Sequence, residues 1–169
     1  MARTSLAANY GISRLSIRVR TLYGMVMAQA LWMRLREEHW NEYAVSRGSA
    51  ERLPKILQDL ASRKRARSMK ACHEVWSMLC RNGIHSAAVI TVPYLVEILD
   101  ISIEDVQIEI ADTLKCCAMG ASKVDADWQV RLVSSLRSVV PEVERLAHRA
   151  PSDVRNQLND FLGAMGLFK

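Results

Sequence analysis

The sequence repeats a short pattern around three of its four prolines. LPKILQDL, VPYLVEIL and VPEVERLA, at residues 53–60, 92–99 and 140–147, each have an apolar residue, a proline, and then apolar residues at helical spacing. The three prolines lie 39 and 48 residues apart. A proline inside a helix removes one backbone hydrogen bond and clashes with the preceding turn. Its recurrence at this period therefore indicates a repeated architecture.

A second segment recurs with the same offset of 48 residues. DVQIEIADTL at 105–114 aligns with DVRNQLNDFL at 153–162, and both have apolar residues every fourth position, on one helix face. Acids near the start of both segments suit the helix macrodipole. Each unit is predicted to be a proline-bearing helix, a turn and a second amphipathic helix. In the less regular first copy, the second helix is predicted within residues 63–79 and stops at Asn82-Gly83.

The length of the repeat limits the fold that these helix pairs can form. Two helices per unit and a period of 39–48 residues are typical of HEAT and armadillo arrays. Because one pair cannot bury its own apolar face, pairs must stack. We predict an all-α fold, a HEAT/armadillo-like α-solenoid of about three helix pairs. The prolines would bend the outer helices along the stack; alternatively, each occupies the first turn of a shorter helix.

Residues 40–114 resemble a group of bacterial HEAT-like repeat proteins. The resemblance rests on WNEY at 40–43, RGSAERLPKIL at 47–57 and VWSMLCRNGIHSAAVITVPYLVEIL at 75–99. In the last stretch, a tryptophan-containing helix is followed by a glycine turn and an apolar-Pro-aromatic-Leu helix start. The sequence departs from the group at the turn, residues 82–85. The resemblance implies a helical-repeat fold and, as in some members, an immunity protein that neutralises a toxin by binding it.

The first 36 residues differ from the rest of the chain. They contain six arginines and no acid, and the uncharged run between Arg20 and Arg34 is 13 residues long, too short to span a bilayer. We predict that residues 1–36 are a leader or an extra helix, with an export or transit signal as the alternative. Residues 37–169 are the predicted repeat domain, and no membrane span is expected.

Charge divides the chain into two unlike parts. Residues 1–70 hold 14 Lys or Arg and 5 Asp or Glu, whereas residues 71–169 hold 9 and 13. The net charge of +5 alone would indicate a nucleic-acid or acidic partner. However, the first part of the chain is basic and the second part is acidic, so the chain is not uniformly basic. The hydrophobic content of 50% and charged content of 24% are those of a globular protein.

The positions of the four cysteines do not indicate a disulfide framework. They are expected to be reduced and buried, which favours a cytoplasmic location. A zinc site is the alternative, and its spacing matches no common ligand pattern. Its ligands would be Cys72, His73, Cys80 and His85.

Acids on the second helices of units two and three suggest a function. Second helices usually line the concave surface of stacked pairs, where an acidic ladder would attract a basic partner. The function predicted is non-catalytic protein binding, and the resemblance to HEAT-like proteins implies its narrower form, an immunity protein that sequesters a basic toxin domain. The alternative is an ordinary solvated face. The predicted partner-binding residues are Glu104, Asp105, Glu109, Asp112, Asp153 and Asp160.

A basic cluster supports a second function, nucleic-acid binding, through contacts to phosphates. A nucleic-acid reader usually adds aromatic stacking residues or a wider basic stripe, so a protein partner is favoured. The N-terminus of a helix also disfavours cations, so the cluster either contacts an external partner or lies in the loop before the helix. Its members are Arg63, Lys64, Arg65, Arg67 and Lys70.

The sequence lacks the common catalytic and phosphate-binding motifs. G-x-x-x-x-G-K, G-x-G-x-x-G, H-E-x-x-H and G-x-S-x-G are all missing. We therefore predict a protein that is not an enzyme, with no catalytic residue, cofactor or metal. His85, after the turn at Gly83, is expected to form a hydrogen bond or a helix cap. The tryptophans and methionines at helical spacing, Trp76 among them, are expected to fill the core.

Overall fold

The computed structural model describes residues 30–123 and 125–168, with Leu167 described by its backbone alone. Over these residues all regular secondary structure is helical, which confirms the prediction of an all-α fold. The chain divides into two units, Met1–Glu37 and Glu38–Lys169. In the first unit, residues 30–37 form part of helix α1. The rest of the predicted leader or extra helix lies outside the described residues.

The second unit contains six α-helices and three short 3-10 helices among the residues described. The 3-10 helices are Trp40–Glu42, Ala50–Arg52 and Gly166–Phe168. The α-helices are α2 (Leu53–Leu60), α3 (Arg65–Cys80), α4 (Ala88–Ile101), α5 (Glu104–Ala121), α6 (Gln129–Arg149) and α7 (Ser152–Met165). Connections of four, two and two residues join α2 to α3, α4 to α5 and α6 to α7.

The helices of the second unit pack in a regular order. Each of the three closely connected pairs, α2 with α3, α4 with α5 and α6 with α7, is in contact. Contacts also run between pairs: α3 packs on α5, α5 packs on α7, and α4 packs on α6. The second helix of each pair therefore contacts the second helix of the next.

The repeat offsets read from the sequence recur in the structure. Helices α3, α5 and α7 begin 39 and 48 residues apart, the same spacing as the three prolines. A turn hydrogen bond recurs as well: Gln107 Nε2 donates to the Leu99 carbonyl at 2.9 Å. At positions 48 residues later, Arg155 Nε donates to the Ala147 carbonyl at 3.2 Å. The second and third pairs are thus equivalent in their turns as well as in their sequence.

The prolines occupy two kinds of position. Pro54 lies in the first turn of α2, but Pro93 and Pro141 lie inside α4 and α6, where the first-turn alternative is wrong. Because proline has no N–H, the Val89 carbonyl, four residues before Pro93, loses its helical donor. Ser135 Oγ of α6 donates to this carbonyl at 2.7 Å. Pro93 thus leaves a carbonyl available for a bond between neighbouring helix pairs.

The apolar stripes predicted for the second helices form much of the core. All three stripe positions of α5 are buried. In α7, Val154 and Leu158 are buried, whereas Leu162 is half-buried at the edge of the stripe. Buried hydroxyl groups are satisfied by nearby carbonyls: Thr91 Oγ1 donates to the Ala87 carbonyl at 2.7 Å. Burial of these stripes is the main favourable contribution to packing one pair on the next.

Candidate functional site

Two of the six predicted partner-binding acids form ion pairs within the chain. Arg65 Nε of α3 donates to Asp105 Oδ2 of α5 at 2.6 Å, and Lys115 Nζ of α5 donates to Asp160 Oδ2 of α7 at 2.7 Å. The bond with Asp160 raises the pKa of Lys115. Both pairs are largely exposed and join neighbouring second helices. Such pairs contribute little stability, but they partly neutralise these two acids.

The other four acids differ in their surroundings. Glu104 and Asp153 are exposed in the first turns of α5 and α7, where they favour the helix macrodipole. Glu109 is half-buried and Asp112 is exposed, on the part of α5 that approaches α3. Neither carboxylate forms an ion pair with any described residue. Glu109 lies near Cys72 of α3, and the charge of Asp112 interacts with Lys115 of its own helix.

The predicted basic cluster surrounds the start of α3, with two members before the helix and three in its first two turns. Arg67 Nη1 lies 4.0 Å from Asp59 Oδ1, and Lys70 Nζ lies 3.8 Å from Glu74 Oε1. With the pair to Asp105, three of the five cations face acids of the same chain. These acids compensate the cations at the helix N-terminus, so no external anion is needed there.

An open pocket of about 410 Å³ lies between the C-terminal halves of α3 and α5, and we call it the α3–α5 pocket. Trp76 and Met119 line it with exposed fractions of 40% and 45%. The expectation that Trp76 fills the core is therefore wrong. The spacing of apolar residues locates the apolar arc of α3, but Trp76 lies at the edge of that arc. The other lining residues are Cys80, Gly83, Ile84, Asp112, Lys115, Cys116, Gly120 and Lys123.

The turn after α3 shapes one end of the α3–α5 pocket. Asn82 and Gly83 have φ angles of 62° and 116°, which end the helix in a left-handed turn as predicted. This turn brings Ile84 against α5 at Gly120. A Cβ on Gly120 would lie only 2.9 Å from the Cβ of Ile84, so the approach requires glycine. This close contact was not predicted from the sequence, although a glycine within a helical pattern is a signal that could have located it.

The cysteines beside the α3–α5 pocket are neutral thiols, and all four cysteines of the chain are free. Burial, and next the charge of Glu109, raises the pKa of Cys72 to about 12. A hydrogen bond with Cys80, burial and the charge of Asp112 raise the pKa of Cys116. Since the thiolate is the nucleophile, these groups are poorly suited to nucleophilic catalysis at neutral pH.

The residues of the zinc alternative do not assemble into a metal site. Among residues 30–123 and 125–168, no group of three or more His, Cys, Asp and Glu side chains could hold a metal ion. His85 instead makes a hydrogen bond, from Nε2 to the Arg81 carbonyl at 3.0 Å, which confirms the hydrogen-bonding role expected for it. This hydrogen bond stabilises the turn beside the α3–α5 pocket.

Comparison with known proteins adds no relative. No protein-family model matches the chain, and no curated protein or solved structure is detectably similar to it. The resemblance of residues 40–114 to bacterial HEAT-like repeat proteins therefore stays a prediction. In the part of the chain that the structure describes, no helix is both long and apolar enough to cross a membrane.

Proposed function

We propose that this chain is a HEAT/armadillo-like helical-repeat protein that binds another protein without catalysis. Three features support the repeat architecture: the three connected helix pairs, the offsets of 39 and 48 residues between second helices, and the recurring turn hydrogen bond. The contacts of α3 with α5 and of α5 with α7 are those expected of second helices in stacked pairs.

One observation carries the binding proposal. At the α3–α5 pocket, Asp112 lies beside the exposed side chains of Trp76 and Met119, and Glu109 lies one turn earlier in α5. Tryptophan and methionine are enriched at protein interfaces, and apolar surface bordered by charge is typical of a partner site. The two acids favour a basic partner, because complementary charge speeds encounter and discriminates among partners.

The proposal narrows the set of acids first predicted from the sequence. Glu109 and Asp112 contact the partner first, whereas Asp105 and Asp160 belong mainly to bonds between helices. An immunity protein that sequesters a basic toxin domain is the narrower proposal, and it rests on the resemblance alone. Nucleic-acid binding is the weaker proposal, since three of the five cations in the basic cluster face acids of the same chain.

Affinity capture from native extract with the tagged full-length protein tests the proposal. The wild type should retain one stoichiometric protein, and the double variant Glu109→Lys/Asp112→Lys should bind it about tenfold more weakly at low ionic strength. A matched double reversal of two exposed acids elsewhere, Glu144→Lys/Asp127→Lys, should bind as the wild type does. Toxicity of the retained protein expressed alone would support the immunity role.

Two outcomes would contradict protein binding at this site. If the Glu109→Lys/Asp112→Lys variant binds with unchanged affinity at low ionic strength, these two acids do not contact the partner. Capture of nucleic acid that is released at high salt would instead favour the basic cluster, because binding to phosphates weakens steeply with salt. Urea denaturation of every variant should first show that the fold is retained.

A further inference from the structure

We infer that a second pocket, between α3 and the segment that precedes α2, binds the phosphoryl group of a phosphorylated side chain of another protein. We call it the basic pocket; its volume is about 300 Å³. It is lined by Ser46, Arg47, Arg52, Lys70, His73, Glu74, Ser77 and Met78. The inference goes beyond the proposed function, because none of these residues lines the α3–α5 pocket.

Positive charge exceeds negative charge in the basic pocket. Three cations line it, Arg47, Arg52 and Lys70, whereas Glu74 is the single acid of the lining. Glu74 is shared between two of them, since its Oε2 lies 3.9 Å from Arg52 Nη2 and its Oε1 lies 3.8 Å from Lys70 Nζ. Arg47 forms no ion pair with any residue that the structure describes. Two positive charges therefore lack a counter-charge in the lining, and they attract an anion.

The basic pocket also offers hydrogen-bond donors that the chain itself does not use. His73 and Ser77 lie one turn apart on α3 and both line the pocket. Within the described part of the chain, neither the His73 ring nor the Ser77 hydroxyl has a hydrogen-bond partner. Imidazole and hydroxyl groups can donate to phosphate oxygens, and the guanidinium of Arg47 can donate to two of them at once.

The backbone that carries the two arginines is fixed next to α3. The Ser46 N–H donates to the Met78 carbonyl at 2.9 Å, directly before Arg47. Gly48 then has a φ of 80°, a left-handed conformation that turns the chain. A Cβ on Gly48 would lie 3.9 Å from Arg52 Nη1, so the Arg52 guanidinium lies close to this turn. Because this backbone is already ordered, binding an anion costs less conformational entropy.

A phosphorylated side chain suits the basic pocket better than other anions do. It carries a charge of about −1.5 to −2 at neutral pH and three acceptor oxygens, whereas a carboxylate carries one charge and two oxygens. A nucleotide would need apolar surface for its base, but Met78, the apolar side chain of the lining, is only 6% exposed. The volume is at the lower limit of ligand sites, about 300–1,000 Å³, which suits a single side chain. Arginine clusters are a recurrent means of recognising phosphorylated segments.

Fluorescence polarisation with the full-length protein tests the inference, using a library of phosphoserine peptides and the same peptides with serine. At least one phosphopeptide should bind about tenfold or more tightly than its serine counterpart. Arg47→Ala should weaken that binding about tenfold, the loss expected for a charge-assisted hydrogen bond. Glu74→Gln should strengthen it several-fold, because the acid that competes for the cations loses its charge. Arg131→Ala, at an exposed arginine of α6 with no ion pair to a described residue, is the matched control and should bind as the wild type does.

Three results would overturn the inference. The first is that no phosphopeptide binds more tightly than its serine counterpart, or that Arg47→Ala leaves the affinity unchanged in a protein that urea denaturation shows to be folded. The second is that inorganic phosphate binds with the same Kd as the phosphopeptide, which would make a free anion the occupant. The third is that a single-stranded oligonucleotide binds more tightly and is equally sensitive to Arg47→Ala, which would make nucleic acid the occupant. The proposed function would stand in the first two cases, since it depends on the α3–α5 pocket.

Discussion

The hydrogen bond between Ser135 and the Val89 carbonyl allows a quantitative test of how the proline-bearing helices are joined. Ser135→Ala removes the donor, and Pro93 cannot replace it because proline has no N–H. A buried acceptor left without a partner costs about 1–3 kcal/mol. Because this contact is only partly buried, we expect a loss of about 1–2 kcal/mol in the free energy of unfolding.

The same substitution should cost less when residue 93 has an N–H. In a Pro93→Ala background, the helix can supply its own donor to the Val89 carbonyl. Ser135→Ala should then cost about 0.5 kcal/mol, close to the low end for a hydrogen bond whose acceptor stays satisfied. The expected coupling between positions 93 and 135 is therefore about 1 kcal/mol. Urea denaturation of the wild type, both single variants and the double variant measures it.

Ser138→Ala is the matched control. Its hydroxyl is exposed and donates to the Ser135 carbonyl of the same helix at 2.7 Å, so its loss should change stability by less than about 0.5 kcal/mol. Equal costs of Ser135→Ala in the two backgrounds would refute the reasoning. They would show that the carbonyl freed by Pro93 does not depend on Ser135 for its hydrogen bond.

Two further predictions concern the packing of Gly120 against Ile84 and the burial of Cys72. Gly120→Ala should lower stability by about 1–2 kcal/mol, since the contact with Ile84 outweighs the gain of about 1 kcal/mol in helix propensity. Gly163→Ala is the control, because an added Cβ would meet no side chain within 4 Å, and it should gain about 0.5–1 kcal/mol. Thermal denaturation of both variants measures the changes, and a gain in stability at both positions would contradict the close contact of Gly120 with Ile84. Cys72 has a pKa raised from 9.0 to about 12, so the stability it contributes is present below pH 9.0 and lost as pH rises toward 12. Cys72→Ala should therefore lose less stability than the wild type over this range in urea titrations, and parallel losses would contradict the raised pKa.

The helical repeat was predictable because the sequence encodes it twice. The spacing of prolines and the alignment of residues 105–114 with 153–162 specify the same offset, and the second helices begin at that offset. Most residues of the buried stripes were predictable, since helical periodicity identifies the residues that face the core, but Leu162 and Trp76 lie at the edges of their stripes.

The candidate site was less accessible to sequence reasoning. Arg65 and Asp105 are 40 residues apart, and their pairing depends on how far α3 is shifted along α5. No local pattern specifies that shift. The exposure of Trp76 depends likewise on where α5 leaves the surface of α3 uncovered. Gly120, a glycine within a helix, is a signal from which a close approach near the pocket could have been predicted, but it was not used for any prediction from the sequence.

Site-specific photo-crosslinking most directly tests the claim that the partner binds at the α3–α5 pocket. A photoreactive amino acid replaces Met119 in one variant and Val130 in another, both at exposed positions outside the apolar core. The account predicts that the captured partner crosslinks from position 119 and not from position 130. Crosslinking from position 130 with none from position 119 would contradict it.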